Sequence, residues 1–122
     1  MSITKKTRQS VIGISGAYGY LGAFLCRFFE TKGYRVIRLT HGSSLSPDTY
    51  SFNLASPNFS DPFPKLDAFI HCGWDMRLVD WDAIQHSNIN GSIALFRHLL
   101  DEKVTSLFFI SSIAAFETAK SN

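Results

Sequence analysis

The sequence predicts an α/β fold: a doubly wound parallel sheet of about five strands in the order 3-2-1-4-5. Three observations carry this. Its short hydrophobic runs are apolar at consecutive positions, as strands buried on both faces are. These runs alternate with segments of helical period. Right-handed crossovers between parallel strands then favour that strand order.

The elements follow in sequence. Val11-Ile12-Gly13-Ile14-Ser15 is the first buried strand. From Tyr20 to Lys32 the period becomes helical, with Leu21, Phe24, Leu25, Phe28 and Phe29 on one stripe. Gly33 follows as a C-terminal stop. Arg35 to Thr40 reads as the second strand, and Gly42 to Asp48 as a loop. Tyr50 to Leu54 is a weak third strand, and residues 55–65, with three prolines, read as loop. Ala68 to Cys72 is the fourth strand. A long helix follows, with Asp82 as its expected cap, Gln85 as the capping-box partner, and Ile89, Ile93, Phe96 and Leu100 as its stripe, widened by Leu95 and Leu99. Leu107 to Ser111 is the fifth strand.

The 122 residues are one domain's worth of chain. A domain of this size buries roughly two thirds of its unfolded surface, enough for a core without disulfides or metal. Residues 1–10 read as a polar tail and 11–122 as the folded domain. With 45% hydrophobic and 18% charged residues the chain is too apolar for disorder. A net charge of +2 gives no ground for nucleic-acid or membrane-surface binding. No apolar run reaches the ~18 residues of a membrane span, and the basic, polar start lacks a secretory h-region. A cytoplasmic setting is the expectation, in which the sequons at Asn58 and Asn90 carry no weight. Cys26 and Cys72 lie in apolar runs and read as reduced core thiols. The His71-Cys72 pair has no second ligand pair at metal spacing and also reads as core.

The turn Gly16-Ala17-Tyr18-Gly19-Tyr20-Leu21-Gly22 joins the first strand to the first helix. Gly16 permits the tight turn out of the strand, Gly19 lets backbone approach a pyrophosphate, and Gly22 lets helix and sheet pack closely. The amides near Tyr20 and Leu21 open the helix, where its dipole favours an anion. A strand before and an amphipathic helix after are the context this motif needs to bind a dinucleotide.

From Val11 to Gly22 the sequence resembles the cofactor turn of the extended short-chain dehydrogenase/reductases, the Rossmann-like family that includes NAD(P)-dependent nucleotide-sugar epimerases and dehydratases. Leu66 to Gly73 resembles that family's fourth strand and the loop bordering the cofactor. Asn88-Ile89-Asn90-Gly91-Ser92 resembles the Asn-Val-x-Gly-Thr stretch of its long helix, and Phe108 to Phe116 its fifth strand with the catalytic Ser. The resemblance implies hydride transfer on a sugar-like, small-molecule substrate, with Ser112 as catalytic Ser and Asn88 as relay Asn. It places Cys72 and Gly73 beside the cofactor, and Asn53-Leu54 where the family carries Asp-Leu beside the adenine. At the end of the second strand, a carboxylate would select NAD. Thr40-His41 stands there instead, and with Arg38 nearby the expectation leans to NADP(H) over NAD(H). The family's Tyr-x-x-x-Lys pair is not in these 122 residues, since the tyrosines are Tyr18, Tyr20, Tyr34 and Tyr50 and none has Lys four positions on. The expectation is therefore the cofactor-binding part of such an enzyme, inactive alone. The alternative is a non-catalytic dinucleotide sensor or interaction module on the same fold. A homo-oligomer is expected, through the helix around Ile89 to Leu100 and the fifth strand.

Overall fold

The computed structural model describes residues 8–42, 46–59, 64–74 and 78–110. Its elements in order are β1 (Val11–Ser15), α1 (Tyr20–Thr31), β2 (Arg35–Thr40), β3 (Thr49–Ser51), β4 (Ala68–His71), a short α2 (Trp81–Ala83), a π-helical segment (Ile84–Asn90), α3 (Gly91–Asp101) and β5 (Ser106–Phe109). The five strands form one sheet in the order β3-β2-β1-β4-β5. Every pairing is parallel, with β1 central between Arg35–Leu39 of β2 and Ala68–His71 of β4. All five residues of β1 are buried, as a strand covered on both faces must be.

Two cores flank the sheet. On one face Ile12, Ile14, Val36 and Ile70 pack with Ala17 and Cys26, supported by Leu25 and Phe29 of α1. On the other, Val11, Ile37, Leu39 and Phe69 pack with Leu95 and Leu99 of α3 and with Phe52, Leu66 and Val104. Helices on opposite faces of a parallel sheet make the fold doubly wound.

Each helix buries only one side of the apolar stripe that its sequence predicts. In α1 the buried positions are Gly22 and Cys26, flanked by Leu25 and Phe29, while Phe24 and Phe28 stack on each other at 6.4 Å on the exposed side. The small residues face the sheet because they let the backbones approach. In α3 the buried line is Ser92, Leu95 and Leu99, continued by Asn88 in the π-helical segment; Ile93 and Leu100 face outward. Ser92 takes an inward position because the buried His71 meets its hydroxyl. The helical N-cap is Asp80, not Asp82: its carboxylate accepts from the Ala83 N–H at 3.1 Å, and Asp82 lies one step inside the first turn. Ala83, Ile84, Asn90 and Gly91 all have right-handed helical dihedrals, so the three helical stretches run on without a break.

Both long helices end in a Schellman arrangement. After α1, Gly33 (φ 91°) donates to Glu30 O at 3.1 Å and Tyr34 to Phe29 O at 3.0 Å. After α3, Lys103 adopts φ 67° and donates to Leu100 O, with Val104 donating to Leu99 O. The strand ends shift slightly from expectation: β3 is Thr49–Ser51, and β5 is Ser106–Phe109 with Phe108 and Phe109 exposed at the sheet edge. No described helix is long and apolar enough to cross a membrane.

Candidate dinucleotide site

In open parallel sheets, ligands bind beyond the carboxyl ends of the strands, where strand order reverses. Here that point lies between β1 and β4, and the turn from Gly16 to Gly22 stands on it. Gly16 has φ 63°, and a Cβ there would come within 2.8 Å of the Cys72 backbone. The Gly19 N–H closes the turn on the Gly16 carbonyl at 3.0 Å. A Cβ on Gly22 would overlap that same carbonyl, so α1 can rest on the turn only with glycine at this position. Around Gly19, by contrast, an added Cβ meets only the Gly16 oxygen within 4 Å, and the space above the helix start is open.

The start of α1 is built to receive an anion. Gly19 is its N-cap and supplies no side-chain acceptor, and the first turn holds no acidic residue. The N–H groups of Tyr20, Leu21 and Gly22 have no intrahelical acceptors. They carry the positive end of the helix dipole. The Tyr20 side chain itself is 98% exposed.

A cavity of about 360 Å³ opens beside the turn. It brings together Gly16, Thr40, His41, Asn53, Leu54 and Gly73 from the residues singled out in the sequence. It adds Ser15, Phe52, His71, Leu78 and Ser87, which sequence reasoning missed. Asn53 turns its side-chain oxygen to the Ala55 N–H at 2.9 Å, which shapes the cavity rim. Leu54 is fixed from behind, since its carbonyl lies against Gly91 so closely that a Cβ there would overlap it. A broader hollow of about 500 Å³ lies at the opposite end of the central strands, around Arg8, Lys32 and Tyr34. That is the amino end of the strands, and its Arg8 is already held by Asp67 at 2.5 Å, so the smaller cavity is the better site.

Other singled-out residues lie differently. Arg38 does not line the cavity; its guanidinium is gripped by Glu30 of α1 through two contacts of 2.9 Å. Hydrogen bonding to Arg38 holds the Glu30 carboxyl below its usual range. Cys72 presents its backbone to Gly16, and burial pushes its thiol up to about 11, which keeps it protonated. Burial likewise raises the Cys26 thiol. Asn88 is fully buried in the π-helical segment, next to cavity-lining Ser87. Ser112 lies outside the described residues. No group of three or more metal-ligating side chains occurs among the described residues.

His71 connects three elements. Its Nδ1 lies 2.5 Å from Ser15 Oγ of β1, and its Nε2 lies 2.7 Å from Ser92 Oγ of α3. The Cys72 and Gly73 N–H groups donate to the same Ser15 Oγ at 3.0 and 3.2 Å.

A doubly wound parallel sheet with a glycine turn at the reversal of strand order is the architecture of a Rossmann-like nucleotide-binding domain. Residues 12–121 match the model of the NAD dependent epimerase/dehydratase family, and the chain belongs to that family. No curated protein matches significantly. Among solved structures, the chain is similar to a nucleoside-diphosphate sugar epimerase from Corynebacterium glutamicum, with TM-score 0.74 and 20% identity over 87% of this chain and 23% of that one. It is also similar to a short-chain dehydrogenase/reductase superfamily protein from Agrobacterium tumefaciens with bound NAD (TM-score 0.68, 21% identity, 84% of this chain and 32% of that one). A UDP-galactose 4-epimerase matches at TM-score 0.69 and 18% identity, over 84% of this chain and 38% of that one. The chain thus spans well under half the length of each of these structures, and at these identities the likeness is one of fold.

Proposed function

We propose that this chain is the nicotinamide-dinucleotide-binding part of a short-chain dehydrogenase/reductase acting on a nucleotide-sugar-like substrate. The observation that carries the reading is the Gly16–Gly22 turn, whose Gly22 seats α1 against the turn while the space over Gly19 stays open. In this reading the amides of Tyr20 to Gly22 take the pyrophosphate. Thr40 and His41 meet the adenosine ribose, Asn53 and Leu54 the adenine, and Cys72 and Gly73 border the nicotinamide half. The bound dinucleotide would supply a hydride acceptor or donor. Ser112 and Asn88 are the proposed catalytic Ser and relay Asn.

Within this reading NADP(H) is preferred over NAD(H). The support is the Thr40-His41 pair at the place where a carboxylate would repel a 2′-phosphate. Arg38 is engaged by Glu30, so Thr40 and His41 carry the preference. One calorimetric series tests both statements. The parent should bind NADP(H) more tightly than NAD(H) at fixed salt. Gly19→Val, which fills the open space with a branched side chain, should weaken binding at least tenfold, about 1.4 kcal/mol. Equal affinity in parent and variant would sink the site, and a tenfold preference for NAD(H) would sink the lean.

The proposal extends to self-association. Ile93 and Leu100 on α3 and Phe108 and Phe109 on the edge strand β5 are exposed apolar groups. Contiguous apolar surface of a few hundred Å² commonly marks a contact site. Light scattering across a dilution series is expected to give a dimer mass, or more, at high micromolar concentration. A monomer throughout that range would refute it.

A further inference from the structure

The proton count around Ser15 assigns a role to His71. A serine hydroxyl has one hydrogen to donate and two lone pairs to accept with. Ser15 Oγ accepts from the Cys72 and Gly73 N–H groups, which occupies both lone pairs. Its contact with His71 Nδ1 must then be the hydroxyl's own donation, with Nδ1 as acceptor. That leaves the His71 hydrogen on Nε2, where it donates to Ser92 Oγ. The three groups therefore form one directed chain from Ser15 through His71 to Ser92, spanning β1, β4 and α3.

We propose that His71, as its Nε2–H tautomer, is a positioning residue for the dinucleotide site: by taking the Ser15 hydrogen it turns both Ser15 lone pairs to the amides of Cys72 and Gly73. Those two amides begin the segment that leaves β4, and Gly73 lines the cavity wall facing Gly16. The link to ligand binding rests on the dinucleotide reading above; the hydrogen-bond assignment does not. The ring is held rigidly, fully buried between Phe96 and Phe109 with centroids 5.5 and 5.7 Å away. Burial also keeps it neutral, as the acceptor role requires.

The two nitrogens are separable by substitution. In His71→Asn the short amide reaches the place of Nδ1 and can accept from Ser15. In His71→Gln the longer amide reaches the place of Nε2 and Ser92, and leaves Ser15 without its acceptor. Hydrogen exchange at the Cys72 and Gly73 amides is expected to stay slow in the Asn variant and to rise at least tenfold in the Gln variant. NADP+ affinity should follow the same order, nearly kept in Asn and reduced about tenfold in Gln, whereas loss of general packing would weaken both alike. Equal exchange in the two variants would overturn the positioning role. Nitrogen-15 spectra of the parent give a reading that needs no variant to fold: an Nε2–H tautomer supports the assignment and an Nδ1–H tautomer overturns it. If the parent binds neither NADP+ nor NAD+, the dinucleotide reading fails, while exchange and tautomer still decide the hydrogen-bond chain.

Discussion

Gly22→Ala is expected to cost about 2 kcal/mol of stability, although alanine is the better helix former. The propensity gain is about 1 kcal/mol. Against it stands a Cβ that would overlap the Gly16 carbonyl, a backbone atom that cannot rotate away. Overpacking of this kind costs about 3 kcal/mol where backbone must move, so the clash wins. At roughly 4 °C per kcal/mol for a domain of this size, the melting temperature should fall by about 8 °C. Gly33→Ala is the control. Unlike Gly22 it has a positive φ, but nothing lies within 4 Å of the added Cβ, so only backbone strain of about 1 kcal/mol should appear. A Gly22→Ala protein that melts at or above the parent would show that α1 does not rest on the turn as described. Because α1 would have to lift off the turn, dinucleotide affinity should fall with stability.

Acid should destabilise the domain before its carboxylates protonate, and His71 is the cause. Burial holds its imidazole at about 4 in the folded protein, against an ordinary value of 6.5. The groups that face the ring are Ser15 from β1, Ser92 and Phe96 from α3, and Phe109 from β5; all are uncharged. Above pH 6.5 neither state binds the proton, and the contribution to stability is whole. As pH falls from 6.5 toward 4, the unfolded chain takes up a proton that the folded chain refuses. Stability is therefore lost across that window, by about 3 kcal/mol at its end. The lowered carboxyls of Glu30, Asp48 and Asp67 are held down chiefly by hydrogen bonds to Arg38, Arg35 and Arg8, and they lose their contribution only at lower pH. Denaturant unfolding at pH 7, 6, 5 and 4.5 should show the decline in the parent, with a flatter profile in His71→Gln. Parallel profiles would remove His71 as the titrating group.

The strand order and the cofactor turn were legible because each has a local cause. Consecutive apolar residues mark a doubly covered strand, and glycines at fixed spacing mark a turn where backbones crowd. The helix phases were legible only in part: Leu25, Phe29, Leu95 and Leu99 do face the cores. Phe24, Phe28, Ile93 and Leu100 are apolar, but the positions nearest the sheet went to Gly22, Cys26, Asn88 and Ser92, chosen by close approach and by polar contact. The Ser15–His71–Ser92 chain was invisible for a related reason. Its partners are 56 and 21 residues apart in sequence, and His71 sits in a run that reads as plain core. Arg38 offered a similar difficulty: its sequence neighbours point to a ligand, whereas Glu30, eight residues earlier on α1, takes its guanidinium.

The all-parallel sheet has a consequence for biosynthesis. β1 is the central strand, yet its β4 partner lies 56 residues downstream, as the Ser15–His71 pair shows. At ~5–20 residues per second of synthesis, the growing chain carries that strand with one edge unpaired for roughly 3–11 s. No hairpin can cover it in the meantime, since every strand neighbour in this sheet arrives by crossover. Throughout that interval Ile12 and Ile14 lack their Ile70 neighbour, and the most hydrophobic strand of the domain is a ready substrate for chaperones on the ribosome.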